Sequence, residues 1–195
     1  MGLFELTLPG HKENDGSHSG KTFSLLERYR DIHLQKVDKI DEVMTRIPDG
    51  QCMLIWTNAA FNTMSLLLWQ IKRDGKISEL YISTYSFSLI CLKTFFSMFD
   101  QGMIRNVTFL INSNNPKLNP EKFGVIISGC KQRGIPVMMS NNHAKVVVAR
   151  SDSWFMTYTG SGNFSENATH EHYAIFKDRD VFDFYKNCIK SYGTE

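Results

Sequence analysis

A histidine and a lysine, His143 and Lys145, stand on either side of one alanine at the start of a run of valines. Further along, residues 160–163 add the hydroxyl of Ser161 and the carboxamide of Asn163. An imidazole can attack a phosphorus atom or carry a proton. An ammonium and an amide can hold the negative charge that builds on phosphoryl oxygens. If the chain brings these four side chains together, they suit phosphodiester chemistry.

A β-hairpin is the element that has to position them. Residues 146–149 are valines and an alanine, which is typical of a buried strand. Residues 150–153 have the composition of a turn, and residues 154–159 predict the returning strand. Such a hairpin would bring residues 160–163 back beside His143 and Lys145. The small residues Gly160 and Gly162 would let the backbone come close to a ligand.

The same residues carry a resemblance to a known family. His143-x-Lys145, followed by Gly160-Ser161-x-Asn163, resembles the signature of the phospholipase D superfamily. In that signature His-x-Lys is followed by an aspartate and then by Gly-Ser-x-Asn. The chain carries one copy of the motif, and its order of elements resembles the family fold over nearly all of residues 50–192.

The end of the motif matches the family, and its middle departs from it. Glu171 matches the glutamate that closes the family segment. The family aspartate should fall at position 150, where this chain has Arg150, and Asp152 follows two residues later. Gly160 also comes three residues later than the pattern asks. A hairpin lengthened by three residues would explain both offsets, so the aspartate is either Asp152, displaced, or absent.

The resemblance implies a mechanism without a metal or other cofactor. In the family a histidine attacks phosphorus to form a phosphohistidine, and a histidine of a second motif protonates the leaving oxygen. Here His143 would be the nucleophile, Lys145 and Asn163 would bind the non-bridging oxygens, and Ser161 would assist. Glu171 and Asp152 are the remaining candidate site residues. Because one motif supplies one such histidine, we expect a homodimer with both copies of His143 in a shared cleft.

Strands alternate along the chain with helical stretches of 10 to 15 residues, which predicts an α/β fold. We expect a mostly parallel mixed sheet with helices on both faces. Residues 1–22 are expected to form a loose N-terminal arm, with a possible edge strand at 3–8, and residues 23–195 a single domain. Strands are predicted at 52–57, 79–84, 107–111, 135–139, 146–149, 154–159 and 173–176, helices at 24–44, 60–72, 88–99, 120–133 and 181–192, and a polar loop at 112–119.

Composition narrows the class of protein. The 195 residues include 42% hydrophobic and 22% charged residues, which are ordinary values for a globular protein. No start resembling a signal peptide and no apolar run approaching about 18 residues occur, so we expect neither secretion nor membrane association. The four cysteines are far apart in the sequence, and we expect them to be buried, reduced thiols of a cytoplasmic protein.

Three functions stay open at this stage. A net charge of +2 does not by itself indicate a nucleic-acid partner. A nuclease is favoured over a lipid-directed enzyme because the chain lacks an interfacial amphipathic helix, and DNA is favoured over RNA as the partner. The alternatives are a catalytically impaired nucleic-acid-binding module, which Arg150 would support, and a phospholipid-directed phosphodiesterase.

Four further side chains surround the end of the second predicted strand, where open α/β sheets bind ligands. They either line the cleft or belong to the core, and the sequence favours neither. They are Tyr81, Ser83, Tyr85 and Ser86.

Overall fold

The computed structural model describes residues 37, 39–42, 44, 47–58, 61–165 and 169–193. Residues 37 and 39–42 are helical. The remaining elements are seven strands and five α-helices, and a short 3₁₀ turn at Ser191–Gly193 follows the last helix. The strands are β1 (Gln51–Asn58), β2 (Glu79–Thr84), β3 (Val107–Asn112), β4 (Val137–Ser140), β5 (Val146–Arg150), β6 (Phe155–Gly160) and β7 (His170–Lys177). The helices are α1 (Thr63–Asp74), α2 (Leu89–Asp100), α3 (Asn115–Leu118), α4 (Pro120–Gln132) and α5 (Arg179–Lys190).

The seven strands form one mixed sheet in the order β1-β7-β6-β5-β2-β3-β4. The pairs β2–β3 and β3–β4 are parallel, and the other four pairs are antiparallel. The mixed α/β architecture is as predicted, but the expectation of mostly parallel pairing was wrong. A short turn can join two neighbouring strands only in antiparallel fashion, and the β5–β6 hairpin therefore turns this half of the sheet antiparallel.

Helices cover both faces of the sheet. On one face, residues of α1, α2 and α4 pack on side chains such as Ile82, Val147 and Tyr158. On the other face, Phe182 and Ile189 of α5 pack in a smaller cluster with Tyr81 and Val148. Because successive side chains of a strand point to opposite faces, the two clusters take alternate residues of the same strands.

One edge of the sheet collects the elements that carry the candidate chemistry, and we call it the C-terminal edge. The carboxyl ends of β1, β2, β3, β4 and β6 meet there with the amino ends of β5 and β7. Helices α1 and α2 begin at this edge, capped by the side chains of Asn62 and Ser88. Their amino ends carry the positive pole of the helix dipole, which favours an anionic ligand.

Most predicted elements are present with shifted ends. Strand β2 has the predicted bounds, whereas α1 begins at Thr63 because Asn62 caps it. Strand β7 begins at His170, three residues before the prediction, because eight residue pairs with β1 hold its polar start in the sheet. The polar loop contains the short helix α3. The arm predicted at residues 1–22, the edge strand at 3–8 and most of the helix at 24–44 lie outside the described residues.

The cysteines divide into two classes. Cys91 and Cys130 are buried, and burial raises the pKa of the Cys130 thiol to about 12. Cys52 and Cys188 are exposed, so the expectation of four buried thiols was wrong for these two. No helix within the described residues is long and apolar enough to cross a membrane.

The opposite edge of the sheet is joined to α5 by the carboxylate of Glu79. Its oxygens accept hydrogen bonds from Tyr81 Oη at 2.6 Å and Arg150 Nε at 2.5 Å, and Lys186 Nζ lies 2.7 Å away. Burial alone would raise the pKa of Glu79, but the bonds from Lys186, Tyr81 and Arg150 outweigh it and hold the pKa below its usual 4.5. One side chain thus ties together β2, β5 and α5.

We expect Glu79→Gln to lower the free energy of unfolding by about 2 kcal/mol at pH 7, because two cations lose a charged acceptor. A depressed carboxyl pKa gives stability that is present above 4.5 and is lost as the pH falls through the folded-state value. The difference in the free energy of unfolding between wild type and variant should therefore be smaller at about pH 4 than at pH 7. Urea unfolding at both pH values measures it, with Asp152→Ala in the nearby exposed turn as the control.

Candidate active site

His143 and Lys145 lie together at the C-terminal edge, just before β5. Lys145 Nζ is 3.4 Å from His143 Nδ1 and donates a hydrogen bond to the carbonyl oxygen of His143 at 3.1 Å. The ring of Tyr85 lies beside both, with its centroid 4.6 Å from that of His143 and 5.7 Å from Lys145 Nζ. His143 is exposed, whereas Lys145 and Tyr85 are half-buried. The imidazole is therefore accessible and is supported on one side by an aromatic ring.

Lys145 is the cation of the site. Burial lowers the pKa of its ammonium, and the negative charge of Glu171 partly offsets the effect. That electrostatic interaction joins the beginning of β5 to the beginning of β7 across β6. Glu171 thus belongs to the surroundings of Lys145, as its place in the motif predicts.

Ser161 connects the loop after β6 to Glu171. Its hydroxyl donates a hydrogen bond to Glu171 Oε2 and accepts one from the backbone N–H of His172 at 3.1 Å. The Ser161 N–H in turn donates to the carbonyl oxygen of His172 at 3.1 Å. Ser161 therefore joins the loop to Glu171 and to the backbone of β7, and the direct assistance expected from its hydroxyl stays a prediction.

Asn163 is held by its backbone and by one side of its amide. The backbone N–H of Ser86 donates to Asn163 Oδ1 at 3.3 Å, and Thr63 Oγ1 donates to the Asn163 carbonyl oxygen at 3.3 Å. The next residue, Phe164, is buried against Phe95 and anchors the loop in the core. Among the described residues Asn163 Nδ2 donates to no acceptor, so its two N–H groups are available to a ligand.

The glycines of the loop make room for protein and not for a ligand. A Cβ atom on Gly160 would collide with the carbonyl oxygen of His172, and one on Gly162 would collide with the hydroxyl of Tyr173. Both residues face β7. The expectation that they allow a close approach of backbone to ligand is therefore replaced by close packing of the loop on β7.

Asp152 is not brought to the other five candidate residues. It lies exposed in the turn between β5 and β6, beyond Arg150, whereas Lys145 precedes the other end of β5. Four strand steps of about 3.4 Å separate the two ends of β5, roughly 14 Å. At the position of the family aspartate, Arg150 bonds to Glu79. The longer hairpin thus extends away from His143 and does not return Asp152 to it.

Sequence reasoning missed Asn142, which precedes His143. Its side chain is buried; Nδ2 donates to Ser83 Oγ at 3.0 Å, and Oδ1 accepts from the backbone N–H of Ala144 at 3.0 Å. Asn112 Nδ2 donates to the Asn142 carbonyl oxygen at 2.7 Å. Asn142 thereby fixes the segment 142–145 against the ends of β2 and β3. Two adjacent asparagines in a polar segment carry no periodic pattern, so nothing in the sequence indicated that Asn142 is buried.

The sequence left open whether four side chains around the end of β2 line the cleft or belong to the core, and the structure divides them. Tyr85 and the backbone of Ser86 belong to the site, and Ser83 supports it through Asn142. Tyr81 lies on the same face of β2 as Ser83 but nearer the opposite edge of the sheet, where it packs with α5 and bonds to Glu79.

We expect Asn142→Ala to lower the free energy of unfolding by about 2 kcal/mol, because buried partners lose their hydrogen bonds. Thermal and urea unfolding measure the loss. Asn141→Ala is the matched control, since Asn141 is the exposed neighbour and should change stability by less than about 0.5 kcal/mol. Equal stability of the two variants would contradict the role given to Asn142.

His143 is exposed, and a small cavity lies on the other side of Lys145. This cavity of about 10 Å³, the size of a single water molecule, lies beneath Lys145 and is lined by residues that include Thr63, Thr84 and Gly160. Among the described residues no group of three or more His, Cys, Asp or Glu side chains is placed to hold a metal ion.

No protein-family model and no curated protein matches the chain. Solved structures share its fold. TrmBL2, an archaeal chromatin protein, is 13% identical with a TM-score of 0.50 and is matched over 86% of this chain and 61% of its own. Polyphosphate kinase from Porphyromonas gingivalis is 13% identical with a TM-score of 0.55, over 74% and 26%. Phosphatidylserine synthase from Haemophilus influenzae is 13% identical with a TM-score of 0.53, over 76% and 40%.

The last two proteins belong to the phospholipase D superfamily. This chain has a fold similar to theirs. At 13% identity the similarity concerns the fold alone, and the chain spans between 26% and 61% of the length of these three proteins.

Proposed function

We propose that the protein is a metal-independent phosphodiesterase of the phospholipase D type that acts on nucleic acid. The observation that carries the proposal is the contact of Lys145 with His143 at one edge of a fold shared with phospholipase D superfamily proteins, with Asn163 bonded to Ser86 at the same edge. The exposure of His143 supports a long substrate that lies across the protein. DNA is the favoured partner over RNA.

In the first step His143 Nε2 attacks phosphorus, a P–N bond forms, and the P–O bond to the leaving group breaks. Lys145 and the Nδ2 of Asn163 donate to the non-bridging oxygens, where charge increases in the transition state. The leaving oxygen takes a proton from a second imidazolium. Water then attacks phosphorus, gives its proton to that second imidazole, and breaks the P–N bond, which restores His143.

Lys145 has to move when substrate binds. In the free protein its ammonium faces His143 Nδ1 at 3.4 Å, and an ammonium can donate to that nitrogen but cannot accept from it. That contact favours a ring proton on Nε2, whereas attack by Nε2 needs the proton on Nδ1. If the ammonium of Lys145 turned to bind a phosphate oxygen, it would leave His143 Nδ1, and the ring proton could then move from Nε2 to Nδ1.

The second imidazole comes from another copy of the chain in this proposal. Within the described residues the other histidines are His170 and His172, which flank Glu171 on β7. Strand alternation directs their side chains to the face opposite to that of Glu171. A two-fold dimer with two C-terminal edges in contact would supply His143 of each copy to one cleft.

We expect His143→Ala to reduce cleavage of labelled DNA by about a thousandfold or more, because covalent catalysis has no substitute for its nucleophile. Cleavage by the wild type should persist in EDTA, because the proposed steps use an imidazole, an ammonium and an amide. Asn141→Ala is the control for local structure. Loss of wild-type cleavage in EDTA that a divalent ion restores would contradict the mechanism, as would a loss below tenfold in His143→Ala.

A mixing experiment tests the shared cleft. Equal amounts of wild-type and His143→Ala chains, unfolded and refolded together, give one wild-type pair in four dimers. If each site needs both histidines, about a quarter of the activity per dimer remains. If each chain works alone, about half remains. Activity of a monomer, with its mass measured by light scattering at the assay concentration, would also contradict the shared cleft.

A binding module without turnover is the second candidate. Two observations favour it. Arg150 stands in place of the family aspartate and bonds to Glu79. TrmBL2, whose fold is similar, is described as binding DNA. In that case the wild type should shift labelled DNA in a gel without cleaving it. A phospholipid-directed phosphodiesterase would instead cleave lipid in liposomes and leave DNA intact.

A further inference from the structure

On the sheet face that carries α5, strand β1 and the beginning of β7 have exposed side chains. Strand β1 is the edge strand of the described sheet, and its side chains alternate between the core and the outside. Outside lie Leu54, with 79% of its surface exposed, and Trp56, with 74% exposed. A tryptophan left this open in a fold that buries Trp69 and Trp154 needs an explanation.

Trp56 is not isolated. Its ring stacks on the imidazole of His170 in the neighbouring strand, with centroids 5.9 Å apart and planes inclined by 29°. Its partner in the strand register is His172, whose side chain is also exposed. The outward positions of these two strands carry no carboxylate, and their ionisable groups are the two imidazoles and the thiol of Cys52. The surface is thus aromatic and free of negative charge.

The same strand, β7, carries Glu171 of the candidate active site on its other face, so the two surfaces meet around the C-terminal edge of the sheet, where β1 ends and β7 begins. Glu171, between the two histidines, is held by Ser161, and the backbone N–H of His172 also bonds to Ser161. Gly160 lies beside Lys145 and pairs with Tyr173, and Tyr173 pairs with Ile55, the residue before Trp56. Three strand spacings of about 4.8 Å, roughly 14 Å, therefore separate Lys145 from the strand that carries Trp56.

We propose that the stacked pair of Trp56 and His170 is a base-stacking platform for single-stranded nucleic acid whose scissile phosphate lies at His143. The inference rests on the proposed function and specifies its substrate as a single strand. A single strand exposes the faces of its bases, whereas a duplex stacks them internally, and aromatic side chains bind exposed bases without sequence preference.

The test is binding of fluorescein-labelled oligonucleotides, followed by anisotropy in a His143→Ala background that does not cleave. Single-stranded DNA and RNA and the matching duplex are compared. Trp56→Ala should weaken single-strand binding about tenfold, Trp56→Phe should keep it within about threefold because a ring remains, and Leu54→Ala should leave it unchanged. The single-strand affinity should exceed that of the duplex by about tenfold, and the DNA and RNA arms identify the natural polymer.

Tryptophan fluorescence provides a measurement without a substitution at the platform. Since Trp69 and Trp154 are buried, the exposed Trp56 is the indole that a stacked base can reach, and single-stranded oligonucleotide should quench its emission. No quenching, equal binding by Trp56→Ala, or equal affinity for duplex would overturn the proposal. So would a change from dimer to monomer in Trp56→Ala with binding intact, which would assign the surface to a second copy.

A separate assay tests the proposed function: hydrolysis of bis(4-nitrophenyl) phosphate by the wild type. This small diester needs the site around His143 and has no base series to stack. If the wild type hydrolyses it while Trp56→Ala binds oligonucleotide as tightly as before, the platform fails and the phosphodiesterase stands. If the wild type binds single strands through Trp56 and hydrolyses no diester, the platform stands and the catalytic proposal fails.

Discussion

The buried amide of Asn142 is the contact on which the geometry of the candidate site depends. Strands β2 and β3 end at the C-terminal edge, and β5 begins there after an irregular segment that no ladder of strand hydrogen bonds can fix. Asn142 supplies the missing bonds, to Ser83 on one side and to the backbone of Ala144 on the other. Because His143 is exposed and has few contacts of its own, its position follows from this neighbour and from the ring of Tyr85.

The loop after β6 adds the second half of the site by a different means. Its backbone is packed on β7 so closely that Gly160 and Gly162 leave no space for a side chain, and Phe164 anchors it in the core. Asn163 consequently lies in a closely packed segment, residues 160–164. Such packing fits electrostatic catalysis, since donors that are already oriented need no reorganisation during the reaction.

Local patterns in the sequence were sufficient for much of this. The valine run and the turn residues after it predicted the β5–β6 hairpin, and the motif predicted that Lys145, Ser161, Asn163 and Glu171 lie near one another. Strand order and the β1–β7 pairing join residues more than 100 positions apart, and no local periodicity encodes them. The role of Asn142 depends on contacts with β2 and β3, which are also distant along the chain, so the sequence could not reveal it. The position of Asp152 follows from the hairpin itself, because its turn lies at the end of β5 away from Lys145.

The direction of the β5–β6 hairpin has a consequence for how this site can change over time. Its turn lies at the edge opposite His143, so residues added there lengthen the hairpin at the end where no chemistry occurs. The number of residues between the two halves of the motif can then vary without moving the site. A sequence pattern that requires a fixed spacing between them would not detect chains with a longer hairpin. The same turn is a suitable place to insert a peptide tag, because the inserted segment would emerge far from any bound substrate.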